Sequence, residues 1–214
     1  MYILHDFFRS SASFRTRIAL NLKGVEYTQK SYKLREGEQR SEEYLALNNQ
    51  GLVPALQLED GTTIPQSLAI IEYLDRKHPQ PRLIPDGDLD AAHVRALAYR
   101  VACDIHPINN LRVLNYLQDP FGHSADDVAQ WFRHWMTTEF DSLEKTLAAD
   151  PRTGKFCFGD APGLADICLI PQVINGRRFD VPEDSYPTIM RIFKAAMDLP
   201  AFDKAAPMKQ PDAF

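Results

Sequence analysis

The chain has 214 residues, 44% of them hydrophobic and 25% charged, which is apolar material enough for one large domain or two small ones and excludes a disordered chain. Its 24 basic and 29 acidic residues leave a formal charge of −5 with no long run of like charge, which argues against nucleic acid as a partner. The start, MYILHDFFRSS, has no basic segment leading into a long apolar one, and no later stretch approaches the roughly 18 apolar residues of a membrane span, so the chain reads as cytoplasmic, with no membrane partner. Cys103, Cys157 and Cys168 are odd in number and lack CxxC spacing, so each reads as a small buried apolar residue. Six scattered histidines have no ligand spacing, and no metal is expected.

In chain order, YILHDF is a short apolar run suited to a buried strand, and Ser10 to Gly24 follows as a helix with Ile18, Ala19 and Leu22 at helical spacing and a glycine to stop it. YTQKSYKL alternates as a second strand, EEYLALN is a short helix, and LVPALQL and DGTTIPQ read as two strands joined by an Asp-Gly turn. SLAIIEYLDRKH closes the series as a helix. The crossover strands pair in parallel and the final hairpin must be antiparallel, giving a small mixed sheet flanked by helices. PQPRLIPDGD then marks a domain boundary, with residues 1–80 before a linker at 81–87 and residues 88–214 after it. The remainder is helical in pattern: 89–117, 124–150, 162–179 and 186–199. Pro107 and Pro171 fall inside these patterns and are expected to kink or delay their helices.

The stretch FFRSSASFRTRIAL places Ser10 and Ser11 where strand gives way to helix, with Arg9 before them. A serine there caps the helix, and the same junction supplies hydroxyl donors and a helix dipole to an anion. On the residues alone both readings stand.

The order of elements and the local words together resemble the cytosolic glutathione transferases, specifically the zeta class of maleylacetoacetate and maleylpyruvate isomerases. FRSSASFRTRIAL is similar to that class's signature; LVPAL and IPQSLAIIEYL resemble its glutathione-binding words; DIHPINN, FGDAPGLADICLIPQV, RRF and the late KQPD resemble its helical-domain words. The resemblance covers nearly the whole chain. It implies an α/β plus all-α architecture: a thioredoxin-like N-terminal domain that binds glutathione, then an all-helical substrate domain, in a cytoplasmic homodimer of aromatic amino acid catabolism. The chain also departs from the family. Ala12 stands where the signature has cysteine, which excludes a mechanism needing a thiol there; Thr16 replaces a usual valine; Gly163 stands at a helix cap commonly serine or threonine, although Asp166 keeps the other half of that capping box.

The resemblance makes Ser10 the hydroxyl that stabilises the glutathione thiolate and Ser11 its neighbour in the same pocket. It implies that Pro54 is cis and that Val53 offers backbone N–H and C=O to the cysteinyl unit, that Gln66 and Ser67 hold the γ-glutamyl end, and that Gln39, His106 and Asn110 lie toward the glycyl end. Without it, Pro54 is a strand-edge proline, Ser67 a helix cap and Gln39 a solvated side chain. Maleyl keto acids carry two carboxylates, so a site for them needs planar cationic forks. Arg9 and Arg178 take that role, while Arg177 reads as structural or exposed, and Arg15 and Arg17 read as makers of domain or dimer salt bridges. The implied activity is glutathione-dependent cis-trans isomerisation of a small dicarboxylate. A transferase or dehalogenase of small haloacids and a non-enzymatic binding protein of the same fold are the alternatives.

Overall fold

In the computed structural model, which describes residues 1–213, the opening apolar run forms strand β1, Tyr2–Asp6, whose last three residues are buried on both faces. Helix α1, Ser11–Leu22, follows, and Gly24 ends it at φ +61°, letting the Val25 N–H reach back to the Leu20 carbonyl at 3.0 Å. Strand β2, Tyr27–Ser31, runs parallel to β1, with Tyr2 opposite Tyr27 and Asp6 opposite Ser31. It stops short of the expected residue 34. Two 3₁₀ turns, Leu34–Glu36 and Glu38–Arg40, lead to helix α2, Glu42–Leu47, which is capped by Ser41. Strands β3, Ala55–Gln57, and β4, Thr63–Pro65, form the antiparallel hairpin, and helix α3, Ser67–Lys77, closes the series. The sheet order is β2-β1-β3-β4, the mixed arrangement that the crossover and hairpin require.

The later segments are helical, as the pattern implied. They comprise α4, Asp88–Tyr99; α5, Leu111–Gln118; α6, Ala125–Ala149; α7, Leu164–Arg177; and α8, Pro187–Met197. The continuous run expected over 89–117 is broken between α4 and α5. Pro107 cannot donate to a continuing helix, and ahead of it the chain widens into a π-turn, Arg100–Ile105, with the His106 N–H on the Val101 carbonyl. Pro171, by contrast, is accommodated inside α7. Cys103 lies on the π-turn and is exposed, contrary to the buried role expected of it; Cys157 and Cys168 are buried. A short helix, α9, Pro200–Ala205, had no clear signal in the sequence.

The chain forms two compact units, Met1–Leu83 together with the tail from Met197 onward, and Ile84–Ala196. These units differ from the expected division at 1–80 and 88–214 in where residues 81–83 and the tail fall. Polar anchors explain why. The Lys23 ammonium, at the end of α1, lies 2.6 Å from Asp75 of α3 and also donates to the Pro81 carbonyl, while Asp75 accepts from the Leu83 N–H at 2.8 Å. These bonds retain residues 81–83 in the first unit.

The tail is retained by Arg17. Its Nη1 donates to both oxygens of Asp6 at 2.8 Å, its Nη2 to the Phe8 carbonyl and its Nε to the Ala205 carbonyl, each at 2.9 Å. Both side chains of the ion pair are fully buried. Asp6 also accepts from the Phe7 N–H and from Gln29 Nε2 on β2, so the carboxylate is satisfied from three elements. Arg17, read from sequence as a domain or dimer bridge, pairs inside its own unit.

Removing one partner of such a pair strands a buried charge. Arg17→Met is therefore expected to cost roughly 3–5 kcal/mol in urea unfolding, a loss that an exposed arginine would not give.

Candidate active site

Register gathers the first unit's candidates at one end of the sheet. His5 of β1 pairs with Ala55 of β3, which pairs with Pro65 of β4. The chain leaving β1 at Phe7–Ser11, the chain entering β3 at Val53–Pro54 and the chain leaving β4 at Gln66–Ser67 therefore share an edge.

Ser10 is the N-cap of α1, with extended backbone and its Oγ accepting from the Ser13 N–H at 3.2 Å. That bond uses an oxygen lone pair and leaves the hydroxyl hydrogen able to donate elsewhere, so capping and anion binding are compatible in one side chain. Ser11 is the first helical residue and is 8% exposed. No acidic residue lies in the first turn of α1 or α3, in contrast to α2, α4, α6 and α7. The positive ends of the two helix dipoles at this edge are thus left for an anion. Arg9 stands beside the pair, its guanidinium 4.8 Å from the centre of the Phe8 ring.

The Val53–Pro54 peptide is cis. Tyr44 Oη and Asn48 Nδ2 donate to the preceding Leu52 carbonyl at 2.5 and 2.8 Å, whereas among the described residues no backbone hydrogen bond occupies Val53. Gln66, not Ser67, is the N-cap of α3, and it makes no side-chain cap bond. Its backbone sits at φ 70°, ψ 117°, a conformation costly for a residue with a Cβ, and it aims the buried Ser67 and the open first turn of α3 at the site. Gln66 Nε2 donates to Gln50 Oε1 at 2.9 Å. Gln50 escaped the sequence reading because an exposed glutamine in an NNQG turn carries no signal.

Gln39 adjoins this segment: its carbonyl would lie 3.2 Å from a Cβ placed on Gly51, and its Nε2 donates to the Leu34 carbonyl. Its Oε1 is buried with no partner among the described residues, an acceptor for a ligand to satisfy. On the sheet's edge, His5 Nδ1 lies 2.8 Å from Tyr32 Oη, and burial lowers the imidazole below its ordinary value. Burial also pushes Tyr44 up to about 12. Both groups are neutral supports near pH 7.

In the second unit, His106 follows the π-turn and is half-buried. Asn110 caps α5, its Oδ1 accepting from the Arg112 and Val113 N–H groups at 3.0 and 3.4 Å, so only its amide nitrogen is left for a ligand. Arg178 is the exposed C-cap of α7, donating to Asn175 Oδ1 at 3.1 Å. Arg177 is structural: it pairs with Glu183 at 2.5 Å and stands 4.5 Å over the Phe193 ring. Among the described residues, no group of three His, Cys, Asp or Glu is placed to hold a metal ion.

The family model for the glutathione S-transferase N-terminal domain matches residues 9–77. The holo structure of maleyl pyruvate isomerase, a bacterial zeta-class glutathione transferase, superimposes with a TM-score of 0.96 at 45% identity, covering 99% of this chain and 100% of that one. The chain belongs to the zeta class of glutathione transferases. A relative named as the maleylpyruvate isomerase of Ralstonia sp is 46% identical over 98% of this chain and 99% of its own. The maleylacetoacetate isomerase of Methylobacterium extorquens AM1, solved with malonate and glutathione bound, has a TM-score of 0.93 at 38% identity and 99% coverage of both chains. The thioredoxin-like domain that the class implies is the four-stranded sheet with its helices.

The strain at Gln66 is measurable. Gln66→Gly, which enters that backbone region at no steric cost, is expected to raise unfolding stability by about 1 kcal/mol. Gln66→Val, stiffer at Cβ, is expected to lower it in the same urea titration.

Proposed function

We propose that this chain is a glutathione-dependent isomerase converting the cis double bond of a maleyl keto acid, maleylacetoacetate or maleylpyruvate, to the trans fumaryl form. The observation that carries this reading is Ser10: a capping hydroxyl with a proton to donate, at a helix start free of acidic residues, on the same sheet edge as Val53 and Gln66–Ser67. The names of full-length relatives, and the malonate and glutathione in one of them, support the substrate class and cofactor.

The residues present fit glutathione. Among the described residues the Val53 backbone N–H and C=O have no partner and suit a cysteinyl unit, the open first turn of α3 suits the γ-glutamyl carboxylate, and Gln39 Oε1 is an orphaned acceptor. When bound, glutathione supplies a thiolate whose reversible addition makes the double bond rotatable. Ser10 and the N-terminus of α1 hold that sulfur as the anion, with Ser11 beside it. Arg9 and Arg178 grip the two substrate carboxylates and oppose the charge that develops on the carbonyl side. The class resemblance assigns His106 and the Asn110 amide to the glycyl end. The first unit is the glutathione-binding domain and the second the substrate domain. The protein acts as a cytoplasmic homodimer.

Spectrophotometric assays with both maleyl keto acids are expected to give turnover that disappears when glutathione is removed; turnover without it refutes the cofactor. Ser10→Ala is expected to lower kcat by roughly 10²–10³-fold and to return the bound thiol toward its free pKa of about 8.5, read by thiolate absorbance. Arg178→Ala should depress kcat/KM for the keto acid by about ten- to a hundredfold, leaving glutathione affinity unchanged in calorimetry.

A further inference from the structure

The residues just before Ser10 are held by the far end of the chain. The Phe8 peptide is gripped from both sides: Arg17 Nη2 donates to its carbonyl at 2.9 Å, and its N–H donates to Asp212 Oδ2 at 3.0 Å. Asp212 belongs to the KQPD segment, and that segment is itself anchored within the first unit. Gln210 is 8% exposed; its Nε2 donates to the Lys204 and Ala206 carbonyls at 2.8 Å, and its Oε1 accepts from Gln29 Nε2 at 3.0 Å. Gln29 in turn donates to Asp6. The backbone from Asp6 to Ser10 thus takes its position from two sources, the Asp6–Arg17 pair below it and the tail beside it. The other Asp212 oxygen, Oδ1, is buried with no hydrogen-bond partner among the described residues, so the carboxylate carries a desolvation cost while its Oδ2 accepts from the Phe8 N–H.

We propose that Asp212 is a positioning residue for the reaction: its acceptor oxygen fixes the Phe8 peptide and thereby sets where Arg9 and Ser10 present their side chains. This rests on the assignment of Ser10 and Arg9 above. Asp212 touches neither substrate nor sulfur; it acts through its bond to the Phe8 N–H. An ångström of slack at the cap is enough to misplace a hydroxyl that must meet a thiolate.

The test uses the full-length enzyme and three variants. Asp212→Ala and Asp212→Ser remove the acceptor or withdraw it from reach, and Asp212→Asn keeps an amide oxygen in the same place. The alanine variant is expected to lower kcat about tenfold, to raise the pKa of the bound glutathione thiol, and to speed amide hydrogen exchange at Phe8–Ser11 in the enzyme without glutathione, with the unfolding midpoint little changed. Asp212→Asn should restore most of kcat and of the exchange protection. Wild-type kcat and exchange in Asp212→Ala overturn the proposal, as does an asparagine variant as impaired as alanine at equal stability. Should the alanine variant fail to fold, Asp212→Ser decides: loss of kcat with local exchange supports the proposal, and wild-type behaviour overturns it. Ser10→Ala is run alongside. If it alone impairs catalysis, the site stands and the role of Asp212 falls; if it is silent, the site assignment falls and the proposal with it.

Discussion

The first unit is organised around the Asp6–Arg17 ion pair. Two charges with no exposed surface are costly unless every donor and acceptor finds a partner, and here they do: Asp6 accepts from Arg17, Phe7 and Gln29, while Arg17 spends its donors on Asp6, Phe8 and Ala205. The pair therefore joins β1, α1, β2 and α9 by directional bonds where apolar packing alone would leave their angles loose. Arg17 lies seven residues beyond Ser10, two helical turns along the same face of α1. The bond that fixes the strand-to-helix corner is thus on the side of the helix that carries the cap.

The second unit relies on close approach and capping. Gly176 of α7 faces the Met136 side chain of α6 so tightly that an added Cβ would lie 2.4 Å from Cε. At the start of α7, the buried Asp166 accepts from the Gly163 N–H at 2.9 Å and from the Cys157 N–H at 2.8 Å; burial pushes its carboxyl up, and the two donors oppose that rise. Gly163 cannot supply a cap of its own, so the helix entry depends on this one carboxylate. Nearby, Trp131 Nε1 donates to the Ile108 carbonyl and Asn109 Nδ2 to the Phe132 carbonyl, which secures the turn between His106 and Asn110 against α6.

Much of this was legible in the sequence. Alternation and turn residues located all four strands and the helices through α8, because those signals are local. The parallel and antiparallel pairings followed from connection length. What was not legible depends on contacts distant along the chain. Nothing in RTRIAL says that the second arginine meets Asp6, and nothing in KQPD says that its aspartate meets Phe8, so the packing of the tail with the first unit has no local signal. Without the family resemblance Ser67 reads as a cap, because serine before an apolar run is a cap signal; the strained Gln66 takes that place, and strain is invisible to propensity. Cys103 was read as buried on base rates, yet the π-turn forced by Pro107 carries it outward. The motif words pointed to Ser10, Val53 and Gln66, whereas nothing local in the sequence marks Gln50 as the partner of Gln66 or Asp212 as the partner of Phe8.

The discontinuity of the first unit bears on how the protein is made. During translation the sheet and α1 emerge early, but the carbonyl of Ala205 and the carboxylate of Asp212 leave the ribosome only after the entire second unit. Until then Arg17 and the Phe8 amide wait without their final partners, so the part synthesised first is completed last. A nascent chain stalled before α9 holds a nearly finished fold whose first strand-to-helix corner is still unfastened.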